Sequence, residues 1–278
     1  MQTYRLTIEY EGTRYRGWQV QKNARSVAGE LQRAFEAAGA PPLELGGSGR
    51  TDAGVHALAQ TAHLRLRDTR DPELLRRAVN AELAKDVHVL ALAAVAPRFH
   101  ARHDAVLRSY LYQISRRRTA FAKPFVWWVR DRLDLERMGR AAALIPGMHD
   151  FVRFCERPAE QESTLCQVES VTIAPAGALV LVRITASHFL WKMVRRLVGA
   201  LVRVGAGELG EDELAALLGG AEPAAGRGAP AEWTAPPSGL FLERVLYPGD
   251  PALGPLQPAT PVAPEPPPGR PRRRPRAV

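Results

Sequence analysis

The sequence predicts an α+β protein with two pseudo-related halves, each an antiparallel sheet backed by helices, that join into one continuous sheet with a central basic cleft. The chain has 278 residues, of which 46% are hydrophobic, enough to bury one large core or two smaller ones. Strand and helix patterns follow one another in a similar order in both halves. Lys and Arg number 38 against 29 Asp and Glu, an excess that favours an anionic partner such as nucleic acid.

The first half begins with alternating polarity and continues with capped amphipathic segments. Ser26 is an N-cap residue for an apolar stripe that Gly39 ends. Asp71 and Pro72 are placed to cap and begin a second helix. The predicted order is a strand over 4–10, a helix between Ser26 and Gly39, a strand-like loop, a helix from Asp71, and strands over 87–95 and 106–114.

The second half repeats that order loosely. Its predicted elements are a helix capped by Asp134, strands near 168–173 and 179–185, a long helix from about His188 to Val204, a short helix near 212–218, and a strand over 240–247. The predicted domains are therefore an N-terminal half, 1–105, and a C-terminal half, 106–247, that completes the cleft.

The last 31 residues differ in composition from the rest. Residues 248–278 contain 11 of the 23 prolines and five arginines, with few residues that could form a core. This composition predicts a disordered tail. Its arginines either add a weak, salt-sensitive attraction for RNA or are simply solvated. The body is basic without the tail, because 33 basic and 27 acidic residues remain.

Several classes of protein are excluded by what the sequence offers. Two cysteines, Cys155 and Cys166, cannot build a disulfide framework or a four-ligand zinc site. The N-terminus does not have the pattern of a signal peptide, and no long uncharged apolar window suggests membrane contact. His56, His149 and His188 lack metal-ligand spacing, so no metal is predicted. We expect a cytoplasmic protein.

The densest cluster of functional residue types is the glycine-rich segment 46–57, GGSGRTDAGVHA. It lacks the Gly-Lys-Ser/Thr ending of a phosphate-binding P-loop and the spacing and crossover of a dinucleotide-binding turn. Four glycines beside Arg50 and Asp52 indicate a tight loop that places a carboxylate beside a guanidinium. From spacing alone, that loop is either structural or the site of a catalytic carboxylate.

The segment GSGRTDAGVHA also resembles the signature of the tRNA pseudouridine synthase A family. Five further segments resemble the family's other blocks in the same order: YEGTRYRGWQVQ, FHARHDAVLRSYLYQI, GMHDFVRF, HFLWKMVRRLVGALVRVGAG and APPSGLFLERVLY. The resemblance covers about residues 1–247. It departs at Cys166, where the family commonly has an arginine, and in the tail, which lies outside it.

The resemblance implies roles for individual residues. Asp52 matches the catalytic aspartate, which either attacks C1′ or removes the 2′ hydrogen. Arg50 matches an arginine that holds the target nucleotide out of the helix, as the reaction requires. Arg195 matches the basic partner of the aspartate, and Tyr110 a tyrosine that stacks on the uracil. Leu240 matches an apolar residue against the base. Tyr112 is expected on the opposite side of the strand from Tyr110.

The same resemblance implies the activity. The expected protein isomerises uridine to pseudouridine at positions 38, 39 and 40 in the anticodon stem-loop of tRNA, as a homodimer and without cofactor. Two alternatives are a non-catalytic RNA-binding or RNA-folding protein and a uridine nucleosidase, which would need a second carboxylate. A basic surface for phosphates is expected around the middle strands, from Arg98, Arg102, Arg108, Arg116, Arg117 and Arg118.

Overall fold

The computed structural model describes residues 1–156, 163–223, 226 and 228–264, which form five α-helices and a ten-stranded sheet. The strands are β1 (Gln2–Tyr10), β2 (Glu44–Gly47), β3 (His56–Leu66), β4 (Val87–Val95), β5 (Leu107–Ser115), β6 (Trp127–Trp128), β7 (Gly147–Asp150), β8 (Leu165–Ala176), β9 (Leu179–Ala186) and β10 (Leu240–Leu246). The helices are α1 (Val27–Ala37), α2 (Pro72–Glu82), α3 (Leu135–Ala142), α4 (Met193–Ala206) and α5 (Glu211–Leu218). None of the helices within these ranges combines the length and apolar character needed to cross a bilayer.

One continuous sheet joins the two halves, in the order β4-β1-β3-β10-β5-β9-β8-β7, while β2 pairs with β3 and β6 with β5. The α+β class and the continuous sheet are confirmed. The last strand, β10, lies in the middle, parallel to β3 and antiparallel to β5. Each half has its own hydrophobic core, and Tyr110 on β5 packs against both. The boundary predicted between residues 105 and 106 stays a prediction.

The predicted helix caps are confirmed. The side chain of Ser26 accepts a hydrogen bond from the Gly29 N–H at the start of α1. Asp71 and Asp134 cap α2 and α3 in the same way. Gly39 follows α1 with φ +70°, the left-handed conformation that ends a helix.

Two elements differ from the sequence prediction. The long helix begins at Met193 and not near His188, because Lys192 has φ +62° and a left-handed residue cannot continue an α-helix. The strand-like loop between the first two helices contains β3, an 11-residue strand. Eight of its 11 residues are buried and the other three are half-buried, so burial does not alternate along the strand and both of its faces are largely covered.

The prediction of disorder from residue 248 is wrong for residues 248–264. We call residues 250–264 the strap, because this segment runs over the sheet face opposite the helices. Val262 is buried there with Leu111 and Phe241. The Gln113 side chain accepts a hydrogen bond from the Ala259 N–H (2.8 Å) and donates one to the Thr260 hydroxyl (3.0 Å). These side-chain contacts order a proline-rich segment, and residues 265–278 lie outside the described residues.

Candidate active site

The loop that carries Asp52 is held from both sides. The Ser48 hydroxyl donates to Gln60 Oε1 (2.6 Å), and Gln60 Nε2 donates to the Gly49 carbonyl (3.1 Å). On the other side, the Tyr10 and Thr51 hydroxyls share a hydrogen bond of 2.7 Å. The Trp18 N–H donates to the Thr51 carbonyl (3.1 Å). The backbone next to Asp52 therefore has little freedom to move.

Two glycines let the segment over 10–18 approach this loop. A Cβ on Gly17, whose φ is +93°, would stand 2.4 Å from the Thr51 carbonyl oxygen. A Cβ on Gly12 would stand 2.0 Å from the Val55 carbonyl oxygen. Only glycine tolerates such an approach. Sequence reasoning missed this positioning role, and the glycines of the segment YEGTRYRGW were the signal that could have revealed it.

Asp52 lies opposite Arg195, near the start of α4. The Arg195 Nη1 atom is 3.3 Å from Asp52 Oδ2, and the side chains are only 14% and 21% exposed. Arg195 Nε donates to the Ala235 carbonyl (2.7 Å), which fixes the guanidinium. The two residues lie 143 positions apart in sequence. Partial burial strengthens the attraction between these charges relative to water.

Tyr110 lies at the centre of the same sheet face. Its ring packs edge-on against Phe189, with the ring centroids 5.0 Å apart. Burial raises the pKa of the Tyr110 hydroxyl, and Tyr10 and Asp52 add to the shift. The hydroxyl is therefore protonated at neutral pH. The expectation that Tyr112 points to the other side is wrong, because residues two apart in a strand share a face.

The segment over 235–240 joins several parts of the site. Its Pro236 carbonyl accepts a hydrogen bond from the Tyr112 hydroxyl (2.7 Å). Pro237 packs against Gly54, where an added Cβ would lie 3.0 Å from its ring. Leu240 pairs with Tyr112 in the sheet and is only 4% exposed. Leu242 pairs with Tyr110 and is equally buried.

Arg50 is exposed, and no hydrogen bond or ion pair joins its side chain to another described residue. The carboxylate of Asp52 therefore takes its guanidinium partner from Arg195. The structure brings Asp52, Arg195 and Tyr110 to one face and leaves Arg50 at the rim of the same loop.

The basic residues predicted around the middle strands divide into two groups. Arg98 and Arg102 are exposed near the start of β5. Arg108 is partly buried there and donates to the Ser187 and Ala105 carbonyls, so its role is structural. The other group, 116–118, follows the opposite end of β5. Nine residues of strand separate the two groups, about 30 Å.

Cys166, the position that departs from the family pattern, lies in the core of the second half. Its side chain is completely buried in β8, and the thiol donates to the His188 carbonyl (2.9 Å). Burial raises the pKa of the Cys166 thiol to about 11. The buried, neutral thiol therefore supplies no basic contact at this position.

Among the described residues, one group has metal-ligand side chains close together, namely Glu44, His63 and His100, with ligand atoms within 4.8 Å of one another. His63 Nδ1 accepts a hydrogen bond from the Ala101 N–H (3.1 Å), so its proton is on Nε2, which faces Glu44 Oε1 at 3.1 Å. Both nitrogens of His63 are thereby occupied. His56 is similarly bonded, to the Gly12 N–H and the Pro124 carbonyl.

Comparison with known proteins adds independent information. The family model for tRNA pseudouridine synthase matches residues 6–104 and 141–248. A protein of Maricaulis maris named tRNA pseudouridine synthase A is 40% identical over 90% of this chain and 99% of its own length. One of Mesorhizobium japonicum with the same name is 42% identical over 89% of this chain and all of its own. A solved archaeal box H/ACA sRNP Nop10-Cbf5 complex is 10% identical over 85% of this chain and 59% of that chain, with a TM-score of 0.33.

Proposed function

The chain belongs to the tRNA pseudouridine synthase family and is an isomerase, and from this premise we propose that it acts on positions 38, 39 and 40 of the anticodon stem-loop with Asp52 as its catalyst and without cofactor. The observation that carries the proposal is the 3.3 Å contact between Asp52 and Arg195. It holds one carboxylate in place on a sheet face that also presents Tyr110. A basic body supplies attraction for the polyanion.

The chemistry requires a single group at the sugar. The N1–C1′ bond of uridine breaks, the uracil turns, and a C5–C1′ bond forms, while C5 loses a proton and N1 gains one. No water is added. The Asp52 carboxylate can attack C1′ to give an ester that the C5 carbon displaces, or it can remove the 2′ hydrogen to give a glycal. In both routes Arg195 orients the carboxylate and compensates its charge when water is excluded.

Tyr110 contributes its ring and a neutral hydroxyl. Because its pKa is raised, the hydroxyl stays protonated at neutral pH and can donate a hydrogen bond. We therefore assign Tyr110 to stacking on the uracil and to a hydrogen bond during the proton transfer at C5. Leu240, at the start of β10, is assigned to the apolar contact with the base.

Arg50 is assigned to base flipping, since its exposed guanidinium lies two residues from Asp52. Replacing Arg50 by Ala should reduce turnover far more than tRNA affinity, because docking uses many phosphate contacts. A 2-aminopurine next to the target uridine should brighten with Asp52→Asn protein and stay dark with Arg50→Ala. Equal brightening would leave Arg50 with only a role in orienting the loop.

The direct test uses purified protein and an unmodified tRNA transcript. Pseudouridine is mapped by reverse-transcription stops that depend on carbodiimide treatment, and stops are expected in the anticodon arm. Asp52→Asn should lower the rate by more than about a hundredfold and retain tRNA binding. Retained turnover would exclude Asp52 as catalyst. Release of free uracil would indicate a nucleosidase, and RNA binding without stops would favour a non-catalytic RNA-binding protein.

We also propose that the protein acts in the cytoplasm as a homodimer, with one tRNA lying across both subunits. Its two cysteines are both free and buried, as suits a reducing compartment. Light scattering coupled to size exclusion should give twice the 30.5 kDa mass of the chain. A mass of one chain at micromolar concentration would contradict the dimer.

A further inference from the structure

A strongly basic segment follows the end of β5. We call residues 116–130 the basic loop. It contains four arginines and one lysine and no acidic residue: Arg116, Arg117, Arg118, Lys123 and Arg130. The assigned site uses none of these residues. A local run of one charge sign attracts an anionic partner.

The basic loop also exposes aromatic rings. Phe121 is 97% exposed, and Trp128 is 40% exposed. The Arg118 guanidinium lies 5.0 Å from the centre of the Trp128 ring. Cations that alternate with exposed aromatic rings form the surfaces on which proteins bind unpaired nucleotides, because the rings stack on bases while the cations neutralise phosphates.

The strap holds the basic loop in shape. Arg117 Nε donates to the Ala263 carbonyl (2.8 Å). Ala122 and Val126 are buried in the same cluster as Val262. The loop and the strap both lie outside the two stretches that match the family model. A preformed surface loses less entropy when a ligand binds.

The basic loop borders α4, the helix that carries Arg195. A cavity of about 330 Å³ lies beside Trp128 and Arg130 and is lined on α4 by Gly199 and Arg203. These α4 residues are four and eight positions after Arg195, so all three share one helix face over about 12 Å. Three carboxylates also line the cavity, from Asp131, Glu208 and Glu232. We therefore assign phosphate contacts to the loop's cations and not to the cavity.

We propose that the basic loop is a second RNA-binding surface, which holds unpaired nucleotides of the tRNA other than the target uridine. Phe121 stacks on a base, and Lys123 and Arg118 contact the neighbouring phosphates. The inference rests on the proposed function, because it takes tRNA as the substrate. It adds a contact on a segment outside the residues assigned to the target uridine.

The experiment compares matched pairs of exposed residues in the full-length chain. Phe121→Ala is paired with Leu74→Ala. Leu74 is an apolar residue, 67% exposed, that lies on α2 and outside the basic loop. Lys123→Ala is paired with Arg67→Ala, another exposed cation. Fluorescence anisotropy with a labelled tRNA transcript gives the dissociation constant at several salt concentrations. Turnover at saturating tRNA and the mass in solution are measured for each variant.

We expect Phe121→Ala to weaken tRNA binding at least about fivefold, with the Leu74 control within twofold of the parent. Lys123→Ala should reduce the salt slope by about one. Unchanged affinity in both loop variants would overturn the proposal. A loss of dimer mass with unchanged affinity would overturn it too and make the loop a protein interface. Absence of pseudouridine with the parent protein would instead refute the proposed function, and the affinity comparison would still stand.

Discussion

Replacing Gly17 by Ala is the sharpest test of how the site is positioned. The new Cβ would stand 2.4 Å from the Thr51 carbonyl oxygen, whereas ordinary contacts begin at 3.4 Å. The loop must therefore move by about 1 Å, and Thr51 is bonded directly to Asp52. A displacement of about 1 Å at a reacting group costs on the order of a hundredfold in rate. We expect that loss in the single-turnover rate.

The same change should also lower stability. An alanine held at φ +93° costs about 1–2 kcal/mol, and the steric conflict adds about 1–3 kcal/mol. The melting temperature should fall by about 2–4 °C for each kcal/mol. The rate is therefore measured well below the melting temperature of every variant. The assay follows tritium released from C5 of the target uridine in a tRNA transcript.

Gly39→Ala is the matched control. Gly39 has φ +70°, and an added Cβ meets no atom within 4 Å. This variant has the backbone strain without the clash, so it should lose about 1–2 kcal/mol of stability and keep its rate. A Gly17→Ala rate within threefold of the Gly39→Ala rate would refute the argument that the opening segment positions Asp52.

Three further predictions concern pH, a thiol and the strap. Burial lowers the pKa of His56, so below about pH 6.5 the unfolded chain binds the proton more strongly than the folded protein does. The unfolding free energy, measured by urea titration, should therefore fall from pH 7 to pH 5, and it should fall less in His56→Gln than in the parent protein. Cys166, with a pKa near 11, should resist alkylation at pH 8 until the protein is unfolded, and rapid native labelling seen by mass spectrometry would contradict this. A chain ended after Pro248 should melt several degrees below one ended after Pro264, because it lacks buried Val262; equal melting temperatures would contradict the packing of the strap.

Local signals predicted the helices better than the strands. Ser26, Asp71 and Asp134 determine helix starts through contacts with residues two or three positions away, so the sequence reveals them. The start of α4 was missed because Lys192 takes a left-handed conformation that no local pattern requires of a lysine. Strand β3 was missed because burial on both faces removes the alternation that identifies a strand.

Long-range contacts explain the remaining differences. Proline content predicted disorder over the strap, yet Gln113 bonds its backbone from 146 positions away. Spacing around Asp52 suggested Arg50 as a partner, while the structure supplies Arg195 from 143 positions away. Only the resemblance identified that pair in advance. Contacts at such separations depend on the topology of the sheet and cannot be obtained from a local window.

The candidate site is formed by elements from distant parts of the chain. The Asp52 loop leads into β3, Tyr110 lies on β5, and Leu240 begins β10, which lies between those two strands. β10 contributes to both large hydrophobic cores, through Leu240 in one and Leu242 in the other. β10 pairs with both β3 and β5, and the contact between Asp52 and Arg195 links the loop before β3 to α4. Because β10 is the last strand in the chain, these elements meet through contacts of long sequence separation.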